Sequence, residues 1–287
     1  MQNLPIIAVL YMILSMVSYQ ISASFAKQLI AALDPLTVTT ILRLCFAAVI
    51  VAFMFRSWKI WSRLPYLKWR DLLMYCASLG LMNILFYTSL GKLPQGIAVG
   101  LEFIGPLGLA LVSIKQKSDY IWVAFAMLGI ALMVPWQDPT QHHFSYVGAA
   151  CALGAGLCWA FYIYFGQKVV TQNIGMHALT IGITVSALAL LPIGIWYNGP
   201  ALLDTQYWGK ALLIAVLATA IPYALDLIAL KQLNKLTYGT LTSLAPALAA
   251  LTGFLLLHEE ISMLQWVALA CVMLASIGVT LRSKTAP

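Results

Sequence analysis

Apolar residues fall in long blocks along this chain, broken at short intervals by Pro, Gly, Asp and basic residues. A helix needs about 20 apolar residues to cross the hydrocarbon core of a bilayer. Ten such helices are predicted, at roughly 5–32, 35–56, 69–91, 95–114, 118–136, 146–170, 175–198, 206–231, 236–257 and 262–281. The breaks are turn-forming: Asp34-Pro35, Leu93-Pro94, Asp138-Pro139 and Asn198-Gly199-Pro200. Connections this short make successive helices antiparallel neighbours. No stretch is long or polar enough for a soluble domain. The first 26 residues hold no Lys or Arg, so the basic start of a secretory signal is missing and the first run is expected to remain as a membrane helix.

Composition agrees with this pattern. Of 287 residues, 62% are hydrophobic and 9% charged, against about 25% charged in soluble domains. The net charge of +7 does not point to nucleic acid, because the basic residues are scattered among short connections and form no clustered face. Instead they set an orientation. With the N-terminus inside, twelve of the sixteen Lys and Arg fall in inner connections, from Arg56 through Lys168 to Lys284. Outer connections hold only Lys92 and Lys210, and Lys27 and Arg43 lie within spans. Under the positive-inside rule both termini are expected in the cytoplasm.

The halves resemble each other at an offset of about 140 residues, which divides the chain into 1–140 and 141–287. Leu90-Gly91-Lys92-Leu93 matches Leu230-Lys231-Gln232-Leu233, Pro106 falls on Pro246, and Glu102 falls on Thr242. Lys27 and Lys168 end the first helix of each half. Each half has five spans, an odd number, so the second copy enters the membrane inverted. Inverted repeats characterise secondary transporters, whose substrate site lies at the repeat interface near the midplane.

Four ionisable residues lie within spans: Lys27, Arg43, Glu102 and Asp226. A charge at the centre of a membrane helix costs at least about 2.5–3.5 kcal/mol and faces water, a partner or a substrate. Arg43 and Glu102 each lie seven or eight residues below an outer helix end, roughly 10–12 Å into the core. At one level, a guanidinium and a carboxylate suit the carboxylate and ammonium of a zwitterionic amino acid. The alternative is that they pair with each other until substrate displaces the pair. Asp226, five residues from the inner end of its helix, reads as a proton carrier or inner gate, or as a group snorkelling to water. Lys27 reads as an outer gate residue or a helix-end anchor. A buried carboxyl can carry a proton, so coupling to protons is permitted by these residues.

Pro106, Pro222 and Pro246 are expected inside helices, where each frees a backbone carbonyl and forms a hinge or static kink. Gln20, Asn83, Tyr87, Thr240 and Ser243 offer neutral hydrogen bonds to a ligand, as do Ser18 and Ser24; bonds between helices are the other use of such groups. An enzyme or metal site finds no support. His142, His143, His177 and His258 lie in or beside connections, and His258-Glu259-Glu260 lacks the second His of a zinc-protease motif. The five cysteines form no CxxC pair or metal-ligand spacing and read as packing residues. No cofactor is called for.

Several segments carry a family resemblance over nearly the whole chain. They are Ala23-Ser24-Phe25-Ala26-Lys27, Leu42-Arg43-Leu44, Met82-Asn83 with Phe86-Tyr87, and Gly96-Ile-Ala-Val-Gly-Leu-Glu102-Phe-Ile-Gly-Pro106. The second half adds Ala152-Leu-Gly-Ala-Gly156, Pro222-Tyr223-Ala224-Leu225-Asp226 and Pro246-Ala247-Leu248. The chain resembles EamA-type drug/metabolite transporters, and among them those of the bacterial inner membrane that export threonine and homoserine. The resemblance implies an all-α, ten-span, multi-pass membrane protein driven by the proton-motive force, with Arg43 and Glu102 as the main polar groups of a central cavity. It leaves open a same-fold exporter of aromatic amino acids or amphiphilic drugs, a passive facilitator, and the oligomeric state. There are departures. The family often has an acidic residue before the ninth-helix proline, where this chain has Ala245, and its Gly-Glu turn is here His258-Glu259-Glu260.

Overall fold

A computed structural model describes residues 6–34, 37–38, 43–56, 68–112, 120–133, 145–169, 177–230, 232–233 and 241–282. Thr240 and the connection residues Lys59, Arg63, Lys115, Lys117, Lys231, Lys235 and Lys284 lie outside the described residues. Among the described residues all regular structure is helical. The first half holds α1 (Ile6–Ala32), α2 (Leu44–Met54), α3 (Trp69–Leu90), α4 (Gln95–Val112) and α5 (Tyr120–Met133). The second holds α6 (Tyr146–Val169), α7 (His177–Leu203), α8 (Trp208–Ala215), α9 (Ile221–Leu230), α10 (Ala245–Leu257) and α11 (Met263–Arg282). A π-turn, Val216–Ala220, joins α8 to α9 into one rod. Five of these rods are long and apolar enough to cross a membrane.

Large apolar side chains stand on the outer surface as well as in the core, where Phe86 and Leu101 are fully buried. Phe53, Trp196, Leu203 and Met263 point outward, with Trp196 88% exposed. Ala23, Ala26, Ala152, Ala155, Ala249 and Ala250 fill the helix contacts. Lipid competes for large apolar side chains as well as protein does, so membrane helices associate through small residues that let backbones approach. The main pairs are α3 with α6, α5 with α11, α4 with α6 and α10, α1 with α9 and α10, and α2 with α7.

The closest approach is α4 on α6. A Cβ on Gly156 would collide with the Glu102 carbonyl oxygen, and one on Gly105 with the Gly156 backbone. Pro106, inside α4, lacks the N–H that would have reached the Glu102 carbonyl four residues back. The freed carbonyl and the missing side chain meet at one crossing.

Two expectations for proline and asparagine are refined by the fold. Pro246 is not inside a helix: it stands in the first turn of α10, where a missing N–H is harmless because no partner lies upstream. The ninth span is broken just before it. Asn198, read as part of a turn, has φ −153° and ψ 54° and kinks the α7 rod.

Candidate transport cavity

A cavity of about 330 Å³ is enclosed by α1, α2, α3, α4, α6, α7, the α8–α9 rod and the turn before α10. None of the described lining residues belongs to α5 or α11, and these two helices pack on each other. Arg43, Glu102, Asn83, Gln20, Pro222 and Asp226 all reach this cavity. Its apolar wall includes Met12, Phe103 and Trp159, the last two in edge contact with ring centroids 5.9 Å apart.

Arg43 precedes the first turn of α2 and is buried. Its guanidinium donates to Asn83 Oδ1 and lies over the Tyr87 ring, 5.3 Å from the centroid. Tyr87 does not line the cavity and acts as a floor for the cation. The Arg43 Nε is buried and has no hydrogen-bond partner among the described residues. Glu102 is 6% exposed, and Lys27–Glu259 is the ion pair formed among the described residues. The alternative in which Arg43 and Glu102 neutralise each other is therefore not what this structure contains: Arg43 turns to Asn83 instead.

Other expected residues go elsewhere. Ser243 bonds Ser276 Oγ at 3.0 Å and faces α11, while its neighbours Thr242 and Ala245 reach the cavity. Expected as a ligand-binding group, Ser243 is not among the described lining residues of this cavity. Lys27 lies outside the cavity, 2.6 Å from Glu259 Oε1. Ser24 bonds Gln95 Oε1 at 2.8 Å. Pro106 is not a lining residue, whereas Pro222 is.

The π-turn explains why Pro222 is tolerated in the wall. Ile221 N–H bonds Val216 O, five residues back. The next such bond, to Leu217 O, would need an N–H that Pro222 lacks. Ser18 Oγ from α1 supplies the donor at 2.9 Å, and Ser15 Oγ donates to Pro222 O at 3.3 Å.

Sequence reading missed Tyr19, Tyr162, Thr219 and Tyr223, which also line the cavity. Tyr and Thr are common in membrane helices, so residue type gave no signal. Thr242 was within reach, because the repeat lays it on Glu102, and both line this cavity. Among the described residues no group of three or more His, Cys, Asp or Glu converges on a metal-sized site.

Comparison with known proteins agrees with this architecture. The profile of the EamA-like transporter family matches residues 146–281. The threonine/homoserine exporter RhtA of Salmonella typhimurium is 40% identical over all of this chain and 96% of its own length. RhtA of Escherichia coli K12 is 39% identical over 98% of this chain and 94% of its own. A solved crystal structure at 15% identity superposes with a TM-score of 0.62 over 96% of this chain and 98% of that one, a likeness of fold alone.

Proposed function

This chain belongs to the EamA-like transporter family and is a multi-pass protein of the bacterial inner membrane, not an enzyme; we propose that it exports threonine, homoserine and related small amino acids. The observation that carries this reading is one cavity presenting Arg43 and Glu102 unpaired with each other. Arg43, with Nε unsatisfied, has donors left for a carboxylate, which guanidinium recognises through paired N–H bonds. Glu102 takes the substrate ammonium or a coupling proton. Asp226 is a second carboxylate on the wall and a further candidate for the proton. The volume of about 330 Å³ sits at the small end of ligand cavities, about 300–1,000 Å³.

Alternating access between inverted halves, 1–140 and 141–287, completes the reading, with both termini cytoplasmic. The packing supports it. Counting the α8–α9 rod as the eighth span, exchange of each span with the one five later turns α1-on-α9 into α6-on-α3. The same exchange returns α2-on-α7, α4-on-α10 and α5-on-α11 to themselves.

Labelled threonine flux in proteoliposomes, with and without an imposed pH gradient, tests substrate and coupling together. Flux that rises with the gradient is expected, and Glu102→Gln should abolish that rise while the protein remains folded. No flux of any amino acid would overturn the reading; flux indifferent to the gradient would make the protein a facilitator. Preference for aromatic amino acids is the second reading, favoured by the Trp159 and Phe103 wall and the absence of an acid at Ala245.

A further inference from the structure

A second set of buried polar groups lies beyond the cavity, where α1 ends and α4 begins. Lys27 Nζ donates to Leu93 O and pairs with Glu259 Oε1 at 2.6 Å. Glu259 Oε2 accepts the Gln95 backbone N–H at 2.7 Å, at the positive end of the α4 dipole. The Gln95 side chain is fully buried and fully engaged. Its Nε2 donates to Gln20 O at 2.9 Å and Thr252 Oγ1 at 3.0 Å, and its Oε1 accepts from Ser24 Oγ at 2.8 Å.

Three features separate this junction from a simple staple. It bridges the halves, since Gln20, Ser24, Lys27 and Gln95 belong to α1 and α4 while Thr252 and Glu259 belong to α10 and the turn after it. It runs in series from the cavity wall at Gln20 to Lys27, seven residues or about 10 Å along α1. Its ion pair lies at the edge of the protein, with Lys27 22% and Glu259 10% exposed, where water can replace each partner. Beneath the polar bonds, α4 and α10 approach closely at Gly96 and Ala250, with no large side chain of either residue threaded between the helices.

We propose that the α1–α4–α10 junction is the outer gate of the transporter, closed in this structure, with Gln95 as its buried hub and Lys27–Glu259 as its latch. This rests on the transport reading and on cytoplasmic termini, which place this end outside. For substrate to leave, α10 must part from α1 and α4 and the six groups must exchange one another for water. The turn is built for this placement. His258 is left-handed, with φ 55° and ψ 36°, and directs Glu259 back over Gly253, whose missing Cβ leaves room for the carboxylate.

Two measurements test the gate. A Cβ on Gly253 would fall 3.3 Å from Gln95 Cβ, near the roughly 3.5–4.5 Å of disulfides. Gln95→Cys with Gly253→Cys, in protein whose native cysteines are replaced by Ala, should cross-link α4 to α10 on oxidation. Threonine flux should then fall about ten-fold or more relative to the same double variant in its reduced form, since a gate that cannot open halts turnover, and recover when that variant is reduced again. Unchanged flux in fully cross-linked protein overturns the gate. The second measurement needs no substrate: labelling of Met16→Cys in the cavity wall by a membrane-impermeant thiol reagent added outside. Glu259→Gln should raise that rate about five-fold or more by unlatching the junction, and the cross-link should suppress it. Equal rates in the intact, unlatched and cross-linked proteins overturn the proposal. Gate-dependent labelling without amino-acid flux would keep the gate and reject the substrate.

Discussion

Asn83 accepts a hydrogen bond from the Arg43 guanidinium on Oδ1 while its Nδ2 donates to the Leu79 carbonyl at 2.8 Å. The second bond fixes which end of the amide faces Arg43. Tyr87 supports the cation from below, so the guanidinium is aimed before any ligand arrives. In this reading Asn83 is a positioning residue for Arg43.

Asn83→Leu keeps the volume and removes the acceptor. Hydrogen bonds to charged groups are worth about 1.5–3 kcal/mol, so KM for the amino acid should rise about ten-fold or more. Maximal flux should change far less, because Glu102 and Asp226, the carboxylates proposed to carry the proton, are untouched. Proteoliposome kinetics separate the two quantities.

Gly156→Ala places a methyl group against the Glu102 carbonyl oxygen. Forcing atoms into a packed crossing costs about 1–3 kcal/mol, and here it also displaces the α4 turn that carries Glu102. Lower thermal stability in detergent and impaired flux are expected together. Gly108→Ala, on α4 with open space around it, is the control and should leave both near normal.

Ser18→Ala removes the donor to Leu217 O. A buried carbonyl left without a partner costs about 1–3 kcal/mol, and Pro222 has no N–H to take the place of the hydroxyl. The unfolding temperature should fall, whereas Ser18→Thr, which keeps the hydroxyl, should stay close to the parent.

His258→Gly relieves a left-handed residue. The conformation costs an ordinary side chain about 1–2 kcal/mol, and glycine gives part of that back as chain entropy. A gain of up to about 1 kcal/mol in stability is expected, read as a higher unfolding temperature with flux preserved.

The helical character of the chain was legible because hydrophobic runs report directly on bilayer thickness, and Arg43 and Glu102 stood out because charge is rare there. Three particulars were not legible. Ser243 reads as a ligand group in sequence, yet its hydroxyl bonds Ser276 while the neighbouring Thr242 lines the cavity. Pro246 reads as a mid-helix kink and stands at a helix start. Tyr87 reads as a ligand group and lies beneath Arg43.

The sequence by itself determined that this is a helical membrane protein with two opposite charges buried at similar depth. That follows from the cost of polar groups in hydrocarbon, which is counted residue by residue along the chain. Only the tertiary structure decided what those charges meet: Arg43 turned to Asn83, Glu102 on the same cavity without it, and Lys27 spent on Glu259 at the end of the bundle. Partner choice depends on helix rotation and crossing, set by contacts such as Gly105 on Gly156 between segments far apart in sequence. No local pattern encodes that.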